Sequence, residues 1–352
     1  MKKFLIKKLP IIIIFGLISI GTLVLNFVHI KYEVITPYKI SNVELTMSVD
    51  GGYEQAGSFN TTSVLHSSKV NVLSYLFSKL SPSAISYKSS NVVDVGGLRN
   101  QKSGSVQKQV SITDSIICAY KKANIDINYE YLGLIIETVS VYTPETIQVG
   151  DVITKVNGVS FSNSEEFLAL YNSYRRSSEC YNEEKKAWLI PLTINDEDKI
   201  IETKYYLTDG EELIPVLGIY HYDYYKIDFE SMDPKISLYQ TRTGGPSGGL
   251  MQSLSIYNQL TSFDYTYGKL IAGTGTIDVD GNVGEIGGMY SKIFTAYFNN
   301  VEIFFVPYSE DMTSNYEDAM KAYKALGSPK KLQIVKVSTI DDAINYLKSI
   351  GE

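Results

Sequence analysis

The feature of this sequence that most constrains its fold is an uncharged apolar run near the amino terminus. The run extends from Leu9 to Val28 without an acidic or basic side chain. A helix rises about 1.5 Å per residue, so a run of this length spans a hydrocarbon core of about 30 Å. A cleaved signal peptide usually has a shorter apolar region and a small-residue cleavage site, which is not evident here. The sequence therefore predicts an uncleaved transmembrane anchor.

The charges that flank this run predict its orientation. Lysines precede the run, and positive charge is retained preferentially on the cytoplasmic side of a membrane. We therefore expect a single-pass protein of the cell membrane, with residues 1–30 forming a cytoplasmic amino terminus and anchor. Everything after residue 30 is expected outside the cytoplasm. The lysines are Lys2, Lys3, Lys7 and Lys8.

The overall composition is that of a globular protein and argues against one class of function. Hydrophobic residues make up 44% and charged residues 20% of the chain, whose 352 residues suffice for two or three domains. A net charge of −7 argues against a nucleic-acid partner, which requires a basic surface. Two cysteines make no disulfide framework, and whether Cys118 and Cys180 pair is left open.

The part of the chain after the anchor divides into three segments, and the expected fold class is α/β multidomain. Residues 31–110 read as a strand-rich segment and connector, residues 111–206 as a β-rich unit, and residues 207–352 as an α+β unit. Whether residues 38–110 belong to the scaffold of the last segment or form a separate small unit is left open.

Local patterns predict helices and a connector on either side of the first boundary. A short helix is expected over residues 70–82. Residues 89–110 are polar and rich in Gly and Ser, which indicates a long loop or a connection between domains. A helix capped by Ser111 or Thr113 is expected to follow.

The segment from residue 112 contains turns and strands with a characteristic spacing. An apolar-Gly-apolar turn, Leu132-Gly133-Leu134, precedes a predicted strand. The run VGDVI at 149–153 and the hairpin signal Asn157-Gly158 come next, followed by a helix capped by Asn163 or Ser164.

This stretch resembles a PDZ domain. In that family, the N–H groups of the turn receive the terminal carboxylate of a peptide, which adds as a strand to the sheet edge. The resemblance implies that Leu132, Gly133 and Leu134 form a peptide-binding turn. A purely structural turn in an unrelated β-rich domain is the alternative.

A serine in a glycine-rich turn is the first candidate for catalysis. The stretch GPSGG, centred on Ser247, matches the G-x-S-x-G pattern of hydrolase nucleophile elbows. In α/β-hydrolases the histidine follows the serine, whereas His29, His66 and His221 all precede Ser247, so that reading is excluded. No Lys-Ser or Lys-Thr follows the glycines and no Walker-type sequence occurs elsewhere, so we expect no nucleotide.

A serine without a histidine can be activated by a neutral lysine. A helix is predicted from about Met289 to Asn299, and Lys292 lies in its first turn beside apolar residues. Burial and the positive end of the helix dipole would both lower the pKa of this lysine. An exposed lysine whose stem lies along apolar surface is the alternative.

Taken together, the two segments resemble the proteolytic domain of Lon-type proteases. The matching letters are GPSGG at 245–249, GTGTI at 273–277 and Gly281-x-Val283-x-x-Ile286-Gly287-Gly288-x-x-x-Lys292. The order of anchor, PDZ-like unit and Lon-like unit without an ATPase resembles the membrane-anchored, PDZ-containing Lon-like serine proteases of the YlbL/SepM type.

This resemblance implies roles for individual residues. Ser247 corresponds to the nucleophile and Lys292 to the general base, while Gly245 and Gly248 correspond to the oxyanion region. Asp278 aligns with a position whose side chain can orient the lysine, and a simple turn residue is the alternative. Gly248 departs from the family, which more often has alanine at that position.

The function expected from this resemblance is ATP-independent cleavage of short or unstructured extracytoplasmic peptides or proteins. It implies no cofactor and no metal, a peptide or unfolded protein as partner, and membrane contact through the anchor. Whether the chain forms a homo-oligomer is left open. The alternative is a catalytically inactive, anchored adaptor that binds peptide termini through the PDZ-like unit.

Overall fold

The computed structural model describes residues 2–68, 70–88, 97–175, 177, 180–207, 213–240, 244–311 and 313–351. The chain folds into a mixed α/β structure with an apolar amino-terminal helix and two large sheets. The helices are α1 (Lys2–Phe27), α2 (Val72–Leu80), α3 (Gly97–Lys122), α4 (Ser164–Arg175), α5 (Gly249–Leu260), α6 (Met289–Phe298), α7 (Ser314–Ala325) and α8 (Ile340–Ser349).

The strands are short in most places and belong to the two sheets or to two-stranded ribbons. They are β1 (His29–Ile30), β2 (Tyr32–Asn42), β3 (Met47–Val49), β4 (Ser58–Ser67), β5 (Val70–Asn71), β6 (Ile85–Lys88), β7 (Tyr129–Val139), β8 (Val152–Val156), β9 (Val159–Ser160), β10 (Tyr181–Asn182), β11 (Ala187–Ile194), β12 (Glu197–Leu207), β13 (Leu213–Val216), β14 (Ile219–Ile227), β15 (Ile236–Leu238), β16 (Leu270–Gly273), β17 (Thr276–Ile277), β18 (Val283–Gly284), β19 (Ile303–Pro307) and β20 (Gln333–Val337).

The amino-terminal helix α1 corresponds to the apolar run. Its stretch Lys8–Phe27 is long and apolar enough to cross a membrane, and none of that stretch is buried against the rest of the chain. A long apolar helix at this place was predicted and is confirmed.

The six-stranded sheet has the order β20-β19-β16-β4-β2-β6. Its strands β4, β16, β19 and β20 are parallel, and β2 and β6 add to one edge in antiparallel fashion. Side chains of β19 alternate between two cores: Ile303 and Phe305 pack with α3, α5 and α8, whereas Phe304 and Val306 pack with α6 and α7. The sheet is therefore covered by helices on both faces, as parallel sheets usually are.

Three strands from the segment before residue 89, β2, β4 and β6, belong to this same sheet. Strand β4 pairs with β16 from Ser58↔Leu270 to Thr61↔Gly273, and β2 and β6 continue the sheet outward. The sequence left the role of residues 38–110 open; within that range, β4, β6 and the end of β2 lie in the same sheet as the strands of the carboxy-terminal segment.

The eight-stranded sheet is antiparallel and follows the path β13-β12-β11-β8-β7-β14, with β9 and β10 beside it. Helix α4 packs on it through Phe167 and Tyr171. The predicted hairpin turn is confirmed: Asn157 and Gly158 both have positive φ between β8 and β9, which a two-residue hairpin turn requires.

Helix α3 corrects three sequence predictions. It begins at Gly97, so residues 97–110 are helical and not a loop; residues 89–96 lie outside the described residues. Ser111 and Thr113 lie inside α3 and cap nothing, and the predicted boundary at 110 falls within the helix. The reason is tertiary packing, which outweighs the low helix propensity of Gly and Ser: one end of α3 is buried in the antiparallel unit and the other in the parallel unit.

The antiparallel unit extends further along the chain than the sequence predicts, and the two cysteines are not bonded to each other. Its sheet continues through β13 and β14 to Ile227, beyond the predicted end at residue 206. Cys118 and Cys180 are both buried, and no disulfide joins them. Burial raises the pKa of the Cys118 thiol to about 12, so this core residue is a neutral thiol and not a thiolate at neutral pH.

Candidate active site

Lys292 lies in the first turn of α6, as the sequence predicts. The helix begins after Gly288, whose left-handed backbone (φ 75°) turns the chain into it. Lys292 is only 3% exposed, and the neighbouring Ile293 and Phe294 are buried with it. Burial disfavours the ammonium form and lowers the pKa of Lys292 to about 7. A large fraction of this lysine is therefore a neutral amine at neutral pH.

Ser247 lies in the turn that leads into α5 and is half-buried. Its Oγ atom is 2.9 Å from Nζ of Lys292, although the two residues are 45 positions apart in the chain. The structure therefore brings together the serine and the lysine that the sequence singled out, at hydrogen-bond distance.

Thr274 completes this arrangement. Nζ of Lys292 donates to its Oγ1 at 2.7 Å, and the Thr274 hydroxyl donates in turn to the carbonyl oxygen of Ser247 at 2.9 Å. The backbone N–H of Gly275 donates to the same carbonyl at 3.0 Å. Thr274 is fully buried, so this network excludes water from one side of the lysine.

Sequence reasoning quoted Thr274 within the GTGTI stretch but gave it no role. The sequence does contain a signal for a site role of Thr274, because a single hydroxyl between two glycines at the end of a buried strand has few structural uses. It lies where β16 ends, at the carboxyl edge of the parallel strands, where sites in α/β sheets usually lie.

The glycines around Ser247 have different roles. Gly245 has a φ of 91°, and its N–H donates to the carbonyl of Gly104 in α3, so it is not available to an oxyanion; that prediction is wrong for Gly245. Gly248 precedes the first turn of α5, next to Ser247. A Cβ atom there would lie 3.1 Å from Cγ2 of Thr61, so a larger residue at this position would require a small shift of that side chain.

Asp278 lies outside this network. Its exposed carboxylate accepts hydrogen bonds from the N–H groups of Asp280 and Asn282 and from the Asn282 amide, at 2.8–2.9 Å. These bonds close the turn between β17 and β18, which corresponds to the alternative role as a turn residue. Among the described residues, no group of three or more His, Cys, Asp and Glu side chains is arranged to hold a metal ion.

The turn that carries Ser247 is also held from the side of α3. The Ser111 hydroxyl donates to the carbonyl of Pro246 at 3.0 Å, and the Ser115 hydroxyl donates to Gln252 of α5 at 3.0 Å. Together with the bonds from Thr274 and Gly275, these contacts fix the serine turn from two directions.

The predicted peptide-binding turn is not a turn. Leu132, Gly133 and Leu134 lie inside β7, which pairs with β14 on one edge and with β8 on the other. A Cβ atom at Gly133 would lie 2.4 Å from the carbonyl oxygen of Ile153, so the glycine permits the close approach of β8. Because β14 pairs along one edge of β7 and β8 pairs with Leu134 and Ile135 on the other, these residues belong to an internal strand, and the prediction of a turn here is wrong.

A second apolar-Gly-apolar turn, Leu217-Gly218-Ile219, leads into β14, which is the last strand on this side of the sheet path. Gly218 has a φ of 66°. Between β14 and α4 lies a cavity of about 480 Å³. Apolar and aromatic side chains dominate its lining, among them Phe167, Leu168, Tyr171, Leu217, Ile219 and Tyr220.

Two basic side chains also line this cavity. Arg175 donates to the carbonyl of Pro215 at 3.0 Å and packs over the ring of Tyr171. His221 is half-buried against the ring of Phe167, and burial lowers its pKa, which favours the neutral imidazole. This cavity, called the groove below, is therefore mainly apolar, and the positive charge of Arg175 lies beside it.

Comparisons with known proteins add little to this geometry. The chain matches no protein-family model and no curated protein. Among solved structures, the PDZ domain of the SdrC-like protein from Listeria innocua is similar to 26% of this chain and 96% of its own, with 18% identity and a TM-score of 0.19.

Proposed function

We propose that this protein is a membrane-anchored, ATP-independent serine endopeptidase that uses a Ser247–Lys292 dyad. One observation carries the proposal: Lys292 is buried, with a pKa lowered to about 7, and its amine lies 2.9 Å from the Ser247 hydroxyl oxygen. A neutral lysine in contact with a serine is a general base beside a nucleophile, which is the arrangement that acyl transfer needs.

The reaction begins with the proton of the Ser247 hydroxyl. Neutral Lys292 accepts this proton while Oγ attacks the carbonyl carbon of a peptide bond. The resulting ammonium group donates the proton to the leaving amine nitrogen as the C–N bond breaks, and an acyl-enzyme remains on Ser247. Water then attacks the ester, with Lys292 again acting as the base, and the serine is restored.

Thr274 and Gly248 support the steps of this reaction in different ways. Thr274 accepts one N–H of Lys292 at 2.7 Å, which leaves the lone pair of the neutral amine free to face Ser247. The N–H of Gly248 precedes the first turn of α5 and makes no hydrogen bond within the described residues, so we assign it to the developing oxyanion.

The substrates are short or unstructured peptide segments outside the cytoplasm. Helix α1 anchors the enzyme with its lysine-rich end in the cytoplasm, and the sequence has no nucleotide-binding motif that would power unfolding. The antiparallel unit acts as a PDZ-like module. Its peptide-binding turn is Leu217-Gly218-Ile219, and a peptide adds along β14 beside α4.

The full-length protein in detergent or nanodiscs, incubated with a panel of unstructured peptides, tests the proposal. We expect Ser247→Ala and Lys292→Met to lower kcat by about 10³-fold or more. Ser253→Ala on α5 and Lys324→Met on α7 are matched controls outside the dyad and should retain activity. A fluorophosphonate probe should label wild type at Ser247 only, as read by mass spectrometry.

Two results would contradict the proposal. If the Ser247→Ala variant cleaved peptides at the wild-type rate, Ser247 could not be the nucleophile. Peptide binding without hydrolysis or probe labelling by wild type would instead favour the alternative function, an anchored adaptor that captures peptides in the groove along β14.

A further inference from the structure

Helix α2 exposes its apolar side chains and buries a polar one. Leu76, Phe77 and Leu80 are 47%, 63% and 80% exposed, whereas Ser78 is buried and its hydroxyl donates to the carbonyl of Tyr75. A helix on the surface of a water-soluble domain shows the opposite pattern, with its apolar stripe toward the core. The outer face of α2 therefore suits an apolar environment.

This face begins where the apolar run of α1 ends. Strand β1, which directly follows α1, pairs with β5, which directly precedes α2. The N–H of Val72 donates to the carbonyl of Val28 at 2.9 Å, and the Asn71 amide donates to Asn26 at 2.9 Å. Helix α2 also packs against α1. The exposed face of α2 is thus continuous with the helix that is apolar enough to cross a membrane.

The residues on either side of this face are those that membrane interfaces favour. The rings of Tyr32 and Tyr75 are 4.6 Å apart at the junction of the two elements. The amine of Lys79 lies 5.4 Å from the ring centre of Tyr75. Tyrosines and lysines are common at the level of lipid headgroups, where an apolar stem and a polar tip are both satisfied.

We propose that α2 lies in the outer interface of the same bilayer that α1 spans, with Leu76, Phe77 and Leu80 in contact with lipid acyl chains. The occupant of this face is bilayer lipid. Burial of these side chains to a depth of about 5–10 Å matches the usual position of an interfacial amphipathic helix. The inference rests on the membrane anchor of the proposed function and not on the peptidase activity.

This position places the dyad near the membrane. Strand β4 runs from Ser58 toward Ser67 and the start of α2, and β16 runs parallel to it and ends at Gly273, beside Thr274. The segment that leaves α2 also contacts α6: Tyr290 donates to the carbonyl of Pro82 at 3.0 Å, and Ser291 donates to that of Ser83 at 3.1 Å. Lys292 is the next residue. The site is thereby tied to the membrane surface, where it meets peptide segments that emerge from or lie on the bilayer.

Fluorescence quenching by brominated lipids tests the position of α2 without using activity. The chain has one tryptophan, so Trp188→Phe gives a dark background in the full-length protein, reconstituted in vesicles of brominated or ordinary phosphatidylcholine. Single tryptophans are then introduced as Phe77→Trp on α2, Phe15→Trp on α1 and Phe263→Trp. Phe263 is 50% exposed. The next residue, Asp264, accepts a hydrogen bond from the N–H of Ala56, which lies just before the start of β4. Phe263 therefore marks the end of β4 that lies away from α2.

The expected result is loss of fluorescence in brominated vesicles for the variants at 15 and 77, and none for the variant at 263. In addition, bromines near the headgroup should quench the tryptophan at 77 more than bromines deep in the acyl chain. Quenching at 15 without quenching at 77 would overturn the inference while leaving the anchor intact. Absence of quenching at both positions would overturn the anchor and the inference together, and peptide cleavage in detergent would still test the dyad separately.

Discussion

At the scale of single residues, the proposed activity depends on the charge state of Lys292. Because burial lowers its pKa to about 7, the neutral form that accepts the serine proton forms as pH rises through that value. We expect kcat/KM to rise about tenfold per pH unit below 7 and to level off above it. A pH profile with a good peptide substrate measures this, and activity that falls between pH 6 and 8 would contradict a lysine base.

Thr274 is expected to act by positioning Lys292. Thr274→Val keeps the shape of the side chain but removes the acceptor for the lysine and the donor to the Ser247 carbonyl. We expect kcat to fall about 10–100-fold with KM little changed, because a loosened base still contacts the serine. Thr274→Ser retains the hydroxyl and should restore most of kcat.

A purely structural role for Thr274 would give a different result. The valine variant would then lose thermal stability in proportion to activity, and the serine variant would not recover kcat. Thermal unfolding of the inactive but folded Ser247→Ala protein, with and without Thr274→Val, separates the two roles, since no activity is involved in that comparison.

At the scale of elements, the close packing of α5 against β17 holds the turn that contains Ser247 in position. A Cβ atom at Gly249 would lie 2.8 Å from Cγ2 and 2.9 Å from the backbone nitrogen of Ile277. Gly249→Ala should therefore push α5 outward and lower the free energy of unfolding by about 1–3 kcal/mol. Gly287→Ala, where nothing lies within 4 Å of the added atom, is the matched control. Chemical denaturation measures both, and equal stability of the two variants would contradict the close contact.

The elements that sequence could predict are those specified by local signals. Asn157-Gly158 encodes its own hairpin, and α6 follows from two glycines and an apolar period. Helix α3 could not be predicted in full, since Val106 and Val110 pack in a core built from residues far along the chain, a contact that no local signal encodes. Two Leu-Gly-apolar triplets occur, at 132–134 and 217–219, and only strand pairing shows that the second one leads into an edge strand.

The candidate site was predictable in its two principal residues and not in their surroundings. Spaced glycine motifs pointed to Ser247 and Lys292, which the fold brings to 2.9 Å. The choice between Thr274 and Asp278 as the partner of the lysine depends on the tertiary fold. Thr274 directly follows β16 and is buried, whereas Asp278 directly follows β17 and is exposed.

At the scale of the whole molecule, α3 joins the groove to the site. Val106 and Val110 pack in the core of the antiparallel unit, while Ser111 and Ser115 of the same helix hydrogen-bond to Pro246 and to α5. A peptide that adds to β14 therefore binds a unit whose core contains the helix that positions the serine turn. In the proposed function, delivery of a substrate to the dyad therefore needs no flexible linker between the groove and the site.

The groove between α4 and β14 is the proposed binding site for the peptide. Leu168 lines the cavity between α4 and β14 and is 46% exposed, so Leu168→Arg should fold while placing a charge where a peptide side chain would bind. We expect KM for long peptides that reach both the groove and Ser247 to rise about tenfold, equivalent to about 1.4 kcal/mol of lost binding. Cleavage of short peptides that reach only the dyad should be unchanged. Val159→Arg on β9, 51% exposed in the same unit, is the control. Equal effects on long and short peptides would indicate damage to the fold, and no effect on either would exclude the groove from substrate binding.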